Sequence, residues 1–277
     1  MSNSIIYEPK GRAREYAPLA CNLAVGCKHG CLYCYGPGAT HRTREVWDQP
    51  VPAKDYLGRF RKDAERLEGD EREILFSFST DPCQDEAAVA RLAEVLDVAE
   101  VHRLRVEVLT KNPANAVPLF PILERNGWGL GTTVCFVSEA LREEWEPNAP
   151  PIASRLSWLG AAKAAGIRTW ASVEPVVDPE EALRAIDVLK SVATKIKVGK
   201  WNHDARASRI DWPGFVDKAA AALVCHDHLF KIDLLLAAGY EEEQGLPGVW
   251  RRPLGTMKLV GGHGSDFSVA RKHGRAE

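Results

Sequence analysis

Short apolar runs alternate with amphipathic stretches along most of the chain. The runs have the length of β-strands, whereas the stretches between them repeat apolar residues at helical spacing, as Val89, Leu92 and Leu96 do within residues 85–99. Six strands are predicted in this way, at residues 19–25, 74–79, 104–109, 128–136, 168–173 and 194–198.

Helices are predicted between these strands, and Asp178 followed by Pro179 marks the start of one of them. Strands separated by helices pair in parallel, so we predict an α/β fold: a partial (β/α)6 barrel of parallel strands with outer helices and a C-terminal extension. Beyond residue 202 the pattern weakens to a helix at 213–224 and a short strand at 230–235. The predicted units are a lead-in at 1–17, the barrel at 18–204, and an extension with a flexible basic tail at 205–277.

The composition narrows the class of protein. A hydrophobic content of 45% supports a sizeable core, and no apolar run is long enough to cross a bilayer. Residues 1–10 lack the features of a secretory signal, so we expect a cytoplasmic protein with no membrane partner. A net charge of −2 gives no overall attraction to nucleic acid, which stays open but unfavoured as a partner.

Three of the seven cysteines crowd into one short loop, as C-x3-C-x2-C. In a reducing compartment such spacing indicates metal ligation before disulfides. Three thiolates from one loop, Cys27, Cys31 and Cys34, serve three irons of a cubane cluster and leave the fourth iron open to a small chelator. The alternative is a structural zinc site with Cys21 or His29 as the fourth ligand.

This motif, followed by the aromatic residue Tyr35 at the end of a first strand, resembles the radical S-adenosylmethionine superfamily. The resemblance implies a 4Fe-4S cluster at the C-terminal mouth of the barrel, held by Cys27, Cys31 and Cys34. It also implies S-adenosylmethionine on the open iron and a one-electron donor of the flavodoxin or ferredoxin kind. Reductive cleavage would then yield a 5′-deoxyadenosyl radical that abstracts hydrogen from a substrate.

A closer resemblance, over residues 20–177, is to the spore photoproduct lyase branch of that superfamily. It rests on the cysteine loop, on Ser79-Thr80-Asp81, on Leu109-Thr110-Lys111, and on residues 145–151 with Arg155 and Leu156. The resemblance implies that five further residues lie at the cluster or at S-adenosylmethionine, namely Tyr35, Thr80, Lys111, Thr133 and Cys135. Polar residues after a strand also serve as turn formers, which is the alternative for Thr80.

One departure from the lyase bears on activity. The lyase has a cysteine, two residues before the equivalent of Thr80, that returns hydrogen to the product, and here that position is Phe78. This puts repair of a DNA photoproduct in doubt. Cys83 could substitute, although a small buried cysteine without such a role is the simpler interpretation.

Strand alternation puts Ser172 and Glu174 on one face of the fifth predicted strand, toward the barrel interior. The carboxylate would bind the cofactor or a cationic substrate, or it would pair with a lysine of the sixth strand. Those lysines are Lys195, Lys197 and Lys200.

Two further segments carry residue types that bind ligands. Residues 200–203 follow the sixth strand, and Trp201 is our first candidate for substrate contact. Residues 225–228, Cys-His-Asp-His, could ligate metal but are better interpreted as a solvated turn.

Three functions follow from the sequence. The first is a radical S-adenosylmethionine enzyme, of lyase, mutase or oxidative outcome, acting on an unidentified substrate with no catalytic residue assigned. The second is a DNA photoproduct repair lyase, and the third is a non-catalytic, zinc-stabilised binding module.

Overall fold

The structure is a computed structural model that describes residues 4–244, 246–252, 258–261 and 267–270. Its strands are β1 (Ile6–Tyr7), β2 (Leu19–Cys21), β3 (Ala24–Val25), β4 (Val51–Pro52), β5 (Glu73–Phe76), β6 (Arg105–Thr110), β7 (Gly129–Thr133), β8 (Arg168–Val176), β9 (Lys195–Lys200), β10 (Asp227–Phe230), β11 (Glu241–Glu242), β12 (Val249–Arg251), β13 (Lys258–Gly261) and β14 (Phe267–Ala270).

The helices are α1 (Gly36–Ala39), α2 (Arg44–Trp47), α3 (Tyr56–Arg66), α4 (Glu86–Val101), α5 (Phe120–Arg125), α6 (Glu139–Trp145), α7 (Ile152–Ala164), α8 (Pro179–Leu189), α9 (Trp212–Ala222) and α10 (Ile232–Ala237). Three short 3-10 helices cover Gly11–Glu15, Val117–Leu119 and Ala205–Arg209. None of the helices in the described ranges is long and apolar enough to cross a membrane.

The central sheet runs in the order β1-β2-β5-β6-β7-β8-β9-β10-β14-β13-β12-β11. Neighbours from β2 through β10 in that order pair in parallel, and the remaining pairs are antiparallel. Each of the six predicted strands has its counterpart in β2 or β5 to β9, so the predicted α/β partial barrel is confirmed. The first predicted strand is shorter than expected, because β3 leaves the sheet to pair with β4.

Local signals explain where the helices begin and end. The Asp85 side chain accepts a hydrogen bond from the Ala88 amide at the start of α4, and Asp178 caps α8 in the same way. After α7 the chain turns at Gly166, whose φ of +86° is open to glycine. Buried apolar side chains of the helices pack against both halves of the sheet from outside.

The C-terminal part differs from the prediction. The strand predicted at 230–235 is wrong: β10 ends at Phe230 and α10 follows, burying Leu234 and Leu235. The turn predicted at 225–228 covers only its first half, because Asp227 begins β10 and His228 is buried. Much of the predicted basic tail lies outside the described residues, and the unit boundaries after residues 17 and 204 stay predictions.

Large and charged side chains fill the barrel interior at the N-terminal ends of the strands. Arg168 pairs with the buried Glu107 at 2.5 Å, and the Lys197 ammonium lies 4.5 Å from the Trp170 ring centroid. A Cβ at Gly131 would collide with Trp170, so that glycine makes room for the ring. These residues close the bottom of the barrel and leave its upper end open.

Candidate active site

A cavity of about 460 Å³ lies at the C-terminal ends of the parallel strands. Of the nine residues predicted to hold the cluster or the cofactor, eight line it: Cys27, Cys31, Cys34, Tyr35, Thr80, Lys111, Thr133 and Glu174. Cys135 is not among the lining residues; it is fully buried, and its Sγ lies 3.8 Å from the Tyr33 hydroxyl.

The cysteine loop, residues 26–35, is tied to the body of the protein through its backbone. The Gly26 amide donates to the Ser79 carbonyl at 2.8 Å, and the Cys27 amide donates to the Trp47 carbonyl at 2.9 Å. Gly26 has a φ of +114°, and a Cβ there would lie 2.5 Å from the Trp47 oxygen. Only glycine fits this first turn of the loop. Further along, the Leu32 amide donates to the carbonyl of Trp145 at 2.8 Å.

The three thiols share one low-dielectric environment. Burial raises the pKa of Cys27, and the Asp81 carboxylate and the other two thiols add to the increase. Burial likewise raises the pKa of Cys31 to about 12 and raises that of Cys34. The thiols therefore stay protonated in the metal-free chain, and a cationic iron centre would supply the charge that stabilises their thiolates.

Asp81, just after β5, is a buried hub beneath the loop. It lies 2.9 Å from His29 Nε2, and it accepts hydrogen bonds from the Thr110 hydroxyl at 2.6 Å and the Lys111 amide at 2.7 Å. The Cys83 amide adds a fourth contact at 2.9 Å. Burial would raise the pKa of Asp81, but the interaction with His29 and these hydrogen bonds outweigh burial and lower it. One carboxylate thus fixes the loop to the ends of two strands.

Glu146, just after α6, is a second buried hub. Its carboxylate lies 2.5 Å from the Arg155 guanidinium and 3.7 Å from the Lys111 ammonium, and it accepts a hydrogen bond from the Tyr33 hydroxyl. Burial would raise the pKa of Glu146, but the charges of Lys111 and Arg155 lower it. The pKa of Lys111 is raised in turn, because its attraction to Cys31 as a thiolate and to the Glu146 carboxylate outweighs its burial. Both groups are charged at neutral pH.

Glu174 lies opposite, at the end of β8, in a space left by Gly199. Its carboxylate accepts hydrogen bonds from the Tyr16 hydroxyl at 2.5 Å and the Lys231 ammonium at 3.0 Å. Ser172 lies 2.8 Å from the same hydroxyl, so both predicted inward-facing residues do line the cavity. The ion-pair partner, however, is Lys231 from beyond β10 and none of the sixth-strand lysines.

An aromatic and cationic group adjoins the cavity through Trp201, which lines it. Trp201 is buried and meets Trp145 edge-on, with ring centroids 5.4 Å apart. The Arg206 guanidinium lies 4.7 Å from the Trp201 centroid and 5.0 Å from that of Trp145. Lys200 and Arg12 also line the cavity, so the lead-in contributes directly to the site.

Comparisons with known proteins agree with this arrangement at the level of fold. No protein-family model matches the chain, and no curated protein matches it by sequence. A mutant of spore photoproduct lyase superposes with a TM-score of 0.58 at 13% identity, covering 96% of this chain and 71% of the lyase. The lyase complexed with dinucleoside spore photoproduct gives a TM-score of 0.56 at 13% identity, covering 96% of this chain and 72% of that one.

Streptococcus suis SuiB bound to S-adenosylmethionine also matches, with a TM-score of 0.56 at 9% identity. That match covers 76% of this chain and 49% of SuiB. The chain has the radical S-adenosylmethionine fold. The resemblance found in the cysteine loop is therefore confirmed for the fold.

Within this fold, Phe78 lines the cavity where the resemblance to the lyase leads one to expect cysteine. Its φ is +83°, unusual for a residue other than glycine, and its ring meets Tyr16 edge-on at 6.0 Å. The Tyr35 hydroxyl donates to its carbonyl at 3.4 Å. Cys83, in contrast, is fully buried and absent from the lining residues, which favours the interpretation of a small buried cysteine.

Several residues of the site were not predicted. Asp81, Glu146 and Arg155 stand within the stretches that resemble the lyase, but no role was assigned to them. Tyr16 and Lys231 carried no local signal, because each comes from a segment outside the predicted barrel. Only the tertiary structure brings these two side chains to Glu174.

Proposed function

We propose that the protein is a radical S-adenosylmethionine enzyme that holds a 4Fe-4S cluster through Cys27, Cys31 and Cys34. The observation that carries this is the shared cavity: the three thiols line it together with the charged, partly buried Lys111, at the strand ends of a radical S-adenosylmethionine fold. Parallel α/β folds bind their ligands at this end of the strands.

The donor set suits a cubane cluster better than zinc. A structural zinc site needs four ligands around one ion. Of the two candidates for the fourth ligand, His29 is already bound to Asp81, and Cys21 is not among the residues that line the cavity. A cubane takes one thiolate at each of three irons, so its ligands surround a larger volume. A zinc module would also leave the aromatic and cationic lining of the cavity without a role.

When bound, the reduced cluster and S-adenosylmethionine together supply a 5′-deoxyadenosyl radical. The chain's own residues bind and orient the cofactor: Lys111 pairs with its carboxylate, and the hydroxyls of Thr80 and Thr133 face it. The Tyr35 ring borders the cluster side, and Glu174 retains lone pairs toward the cavity for hydroxyl or amino groups. Cys135 does not line the cavity and would contribute only indirectly, by contacting the Tyr33 hydroxyl. A flavodoxin- or ferredoxin-like protein would deliver the electron, and hydrogen abstraction from the substrate would lead to a lyase, mutase or oxidative outcome.

The test is anaerobic reconstitution with iron and sulfide, reduction with dithionite, and measurement of 5′-deoxyadenosine formed from S-adenosylmethionine. We expect product from the wild type and from Cys225→Ala, which changes an exposed cysteine, and none from Cys31→Ala. A fully loaded wild-type cluster that releases no 5′-deoxyadenosine would refute the proposal. A colourless protein that retains zinc would support the binding module instead.

Photoproduct repair is the second candidate, favoured by the likeness to the lyase complexed with dinucleoside spore photoproduct. Phe78 in the cavity wall counts against it, because a phenyl ring has no hydrogen to return. Incubation of the reduced enzyme with the dinucleoside photoproduct decides the matter: thymidine release would establish repair. A steep fall in DNA affinity with salt would show phosphate contacts.

A further inference from the structure

Lys111 is held in place, but its ammonium group donates no hydrogen bond to the described residues. Its ammonium lies 3.7 Å from Glu146, too far for a hydrogen bond, and 5.5 Å from the Tyr33 ring centroid. In the described part of the chain no acceptor lies within hydrogen-bond distance of this ammonium, although 14% of the side chain is exposed to the cavity. Its three donors therefore remain available to an anionic ligand.

Arg155, in contrast, contacts other protein groups and does not line the cavity. The guanidinium is completely buried, donates to the carbonyls of Thr133 at 3.0 Å and Pro150 at 2.9 Å, and contacts Glu146 at 2.5 Å. The group of Lys111, Arg155 and Glu146 thus carries two positive charges and one negative charge. The excess positive charge lies on the one member that faces the cavity.

Glu146 also reaches the cysteine loop, because it accepts a hydrogen bond from Tyr33, which stands between two of the cysteines. The Tyr33 ring stacks on Trp145, the residue before Glu146, at 6.4 Å. One carboxylate therefore contacts the loop that would hold the cluster and the lysine that would hold the cofactor's carboxylate.

We propose that Glu146 is a positioning residue that couples the cysteine loop to cofactor binding, by aiming Lys111 at the cavity and fixing Tyr33. The inference rests on the proposed function and adds a residue to it. Without the carboxylate, Lys111 and Arg155 repel each other in a buried space, and the flexible lysine turns away from its binding position.

Glu146→Gln tests this, because the amide keeps the size of the side chain and removes its charge. The matched control is Glu143→Gln on the preceding helix α6, where an exposed carboxylate pairs with Arg142. Each reconstituted protein is assayed for melting temperature, iron content, the Kd of S-adenosylmethionine, and the change that this ligand causes in the EPR spectrum of the reduced cluster. We expect Glu146→Gln to weaken binding by about 10- to 100-fold, the size of a lost interaction with a charged group.

The Lys111→Met background separates positioning from packing. If Glu146 acts through Lys111, adding Glu146→Gln to Lys111→Met causes little further loss of affinity. A folded, iron-loaded Glu146→Gln with wild-type affinity overturns the inference, as does an equal loss in both backgrounds. Should Glu146→Gln fail to fold, Tyr33→Phe removes only the hydroxyl, and an unchanged Kd and EPR response in that variant refute the coupling. A wild type that does not bind S-adenosylmethionine at all refutes the proposed function instead.

Discussion

Glu107 in the barrel interior makes the stability of this protein depend on pH in an unusual direction. The side chain is only 7% exposed, and burial raises its pKa to about 7 although the nearby Arg168 opposes the change. An unfolded chain ionises the same carboxyl near its ordinary pKa of 4.5. Between these two values the folded state binds a proton that the unfolded state has lost.

The sign and the size follow from this difference. The free energy of unfolding changes with pH at a rate proportional to the number of protons bound by the unfolded state minus the number bound by the folded state. That difference is negative between pH 4.5 and 7, so Glu107 makes the folded protein less stable as pH rises. Each unit is equivalent to 1.36 kcal/mol, so the full effect is about 3 kcal/mol. Lys197, whose pKa burial lowers to about 8, titrates mainly above this window.

Glu107→Gln removes the titration and keeps the shape. Urea unfolding of the cluster-free, reduced protein at pH 5, 6, 7 and 8 should show the variant gaining on the wild type by up to about 3 kcal/mol as the pH rises. The control, Glu65→Gln, changes an exposed residue of α3. A difference between Glu107→Gln and wild type that stays constant from pH 5 to 8 would contradict the reasoning.

Three further predictions concern the cysteine loop and the cavity wall. Gly26→Ala should cost about 1–3 kcal/mol of stability and lower iron retention, because the φ of +114° and the nearby Trp47 carbonyl exclude a side chain. Thermal melting and iron analysis compare it with Gly38→Ala, where a side chain would meet open space. Equal melting temperatures and iron contents of the two variants would count against the argument. Asp81→Asn should lower the free energy of urea unfolding by about 2–4 kcal/mol, since a buried amide cannot accept all the hydrogen bonds that the carboxylate accepts. The helix cap variant Asp85→Asn should cost under about 1 kcal/mol. A larger loss in Asp85→Asn than in Asp81→Asn would show that Asp81 is not the stronger anchor. Tyr16→Phe removes two hydrogen bonds and should cost about 1–2 kcal/mol by the same measurement, and no loss would mean that water replaces the hydroxyl.

Much of the fold could be predicted because its signals are local. The runs at 104–109 and 194–198 alternate apolar and polar residues, and they became β6 and β9 within two residues at each end. The cap at Asp178 predicted the start of α8 for the same reason. The strand predicted at 230–235 was wrong, because a short apolar run fits a strand or a buried helix turn equally well.

Residues of the site could be predicted only where they belong to a sequence motif or follow a predicted strand. Cys27 and Lys111 stand at such positions, and both line the cavity. The partner of Glu174 could not be found in this way, because Lys231 approaches from 57 residues along the chain. Nor does the sequence show that Glu146 and Arg155 are wholly buried, and it is burial that turns an ordinary ion pair into an anchor.

The two buried carboxylates explain how a loop with little apolar burial keeps its shape. Leu32 and Tyr35 in that loop are 58% and 50% exposed, so the packing of these two side chains cannot fix the ligands. Asp81 instead ties His29 to the end of β6, and Glu146 ties Tyr33 to Lys111. Buried ionic groups add little net stability compared with apolar packing, but their geometry is directional. Changes at these hubs should therefore alter cluster retention and cofactor affinity together, whereas changes among the charges at the bottom of the barrel should alter stability alone.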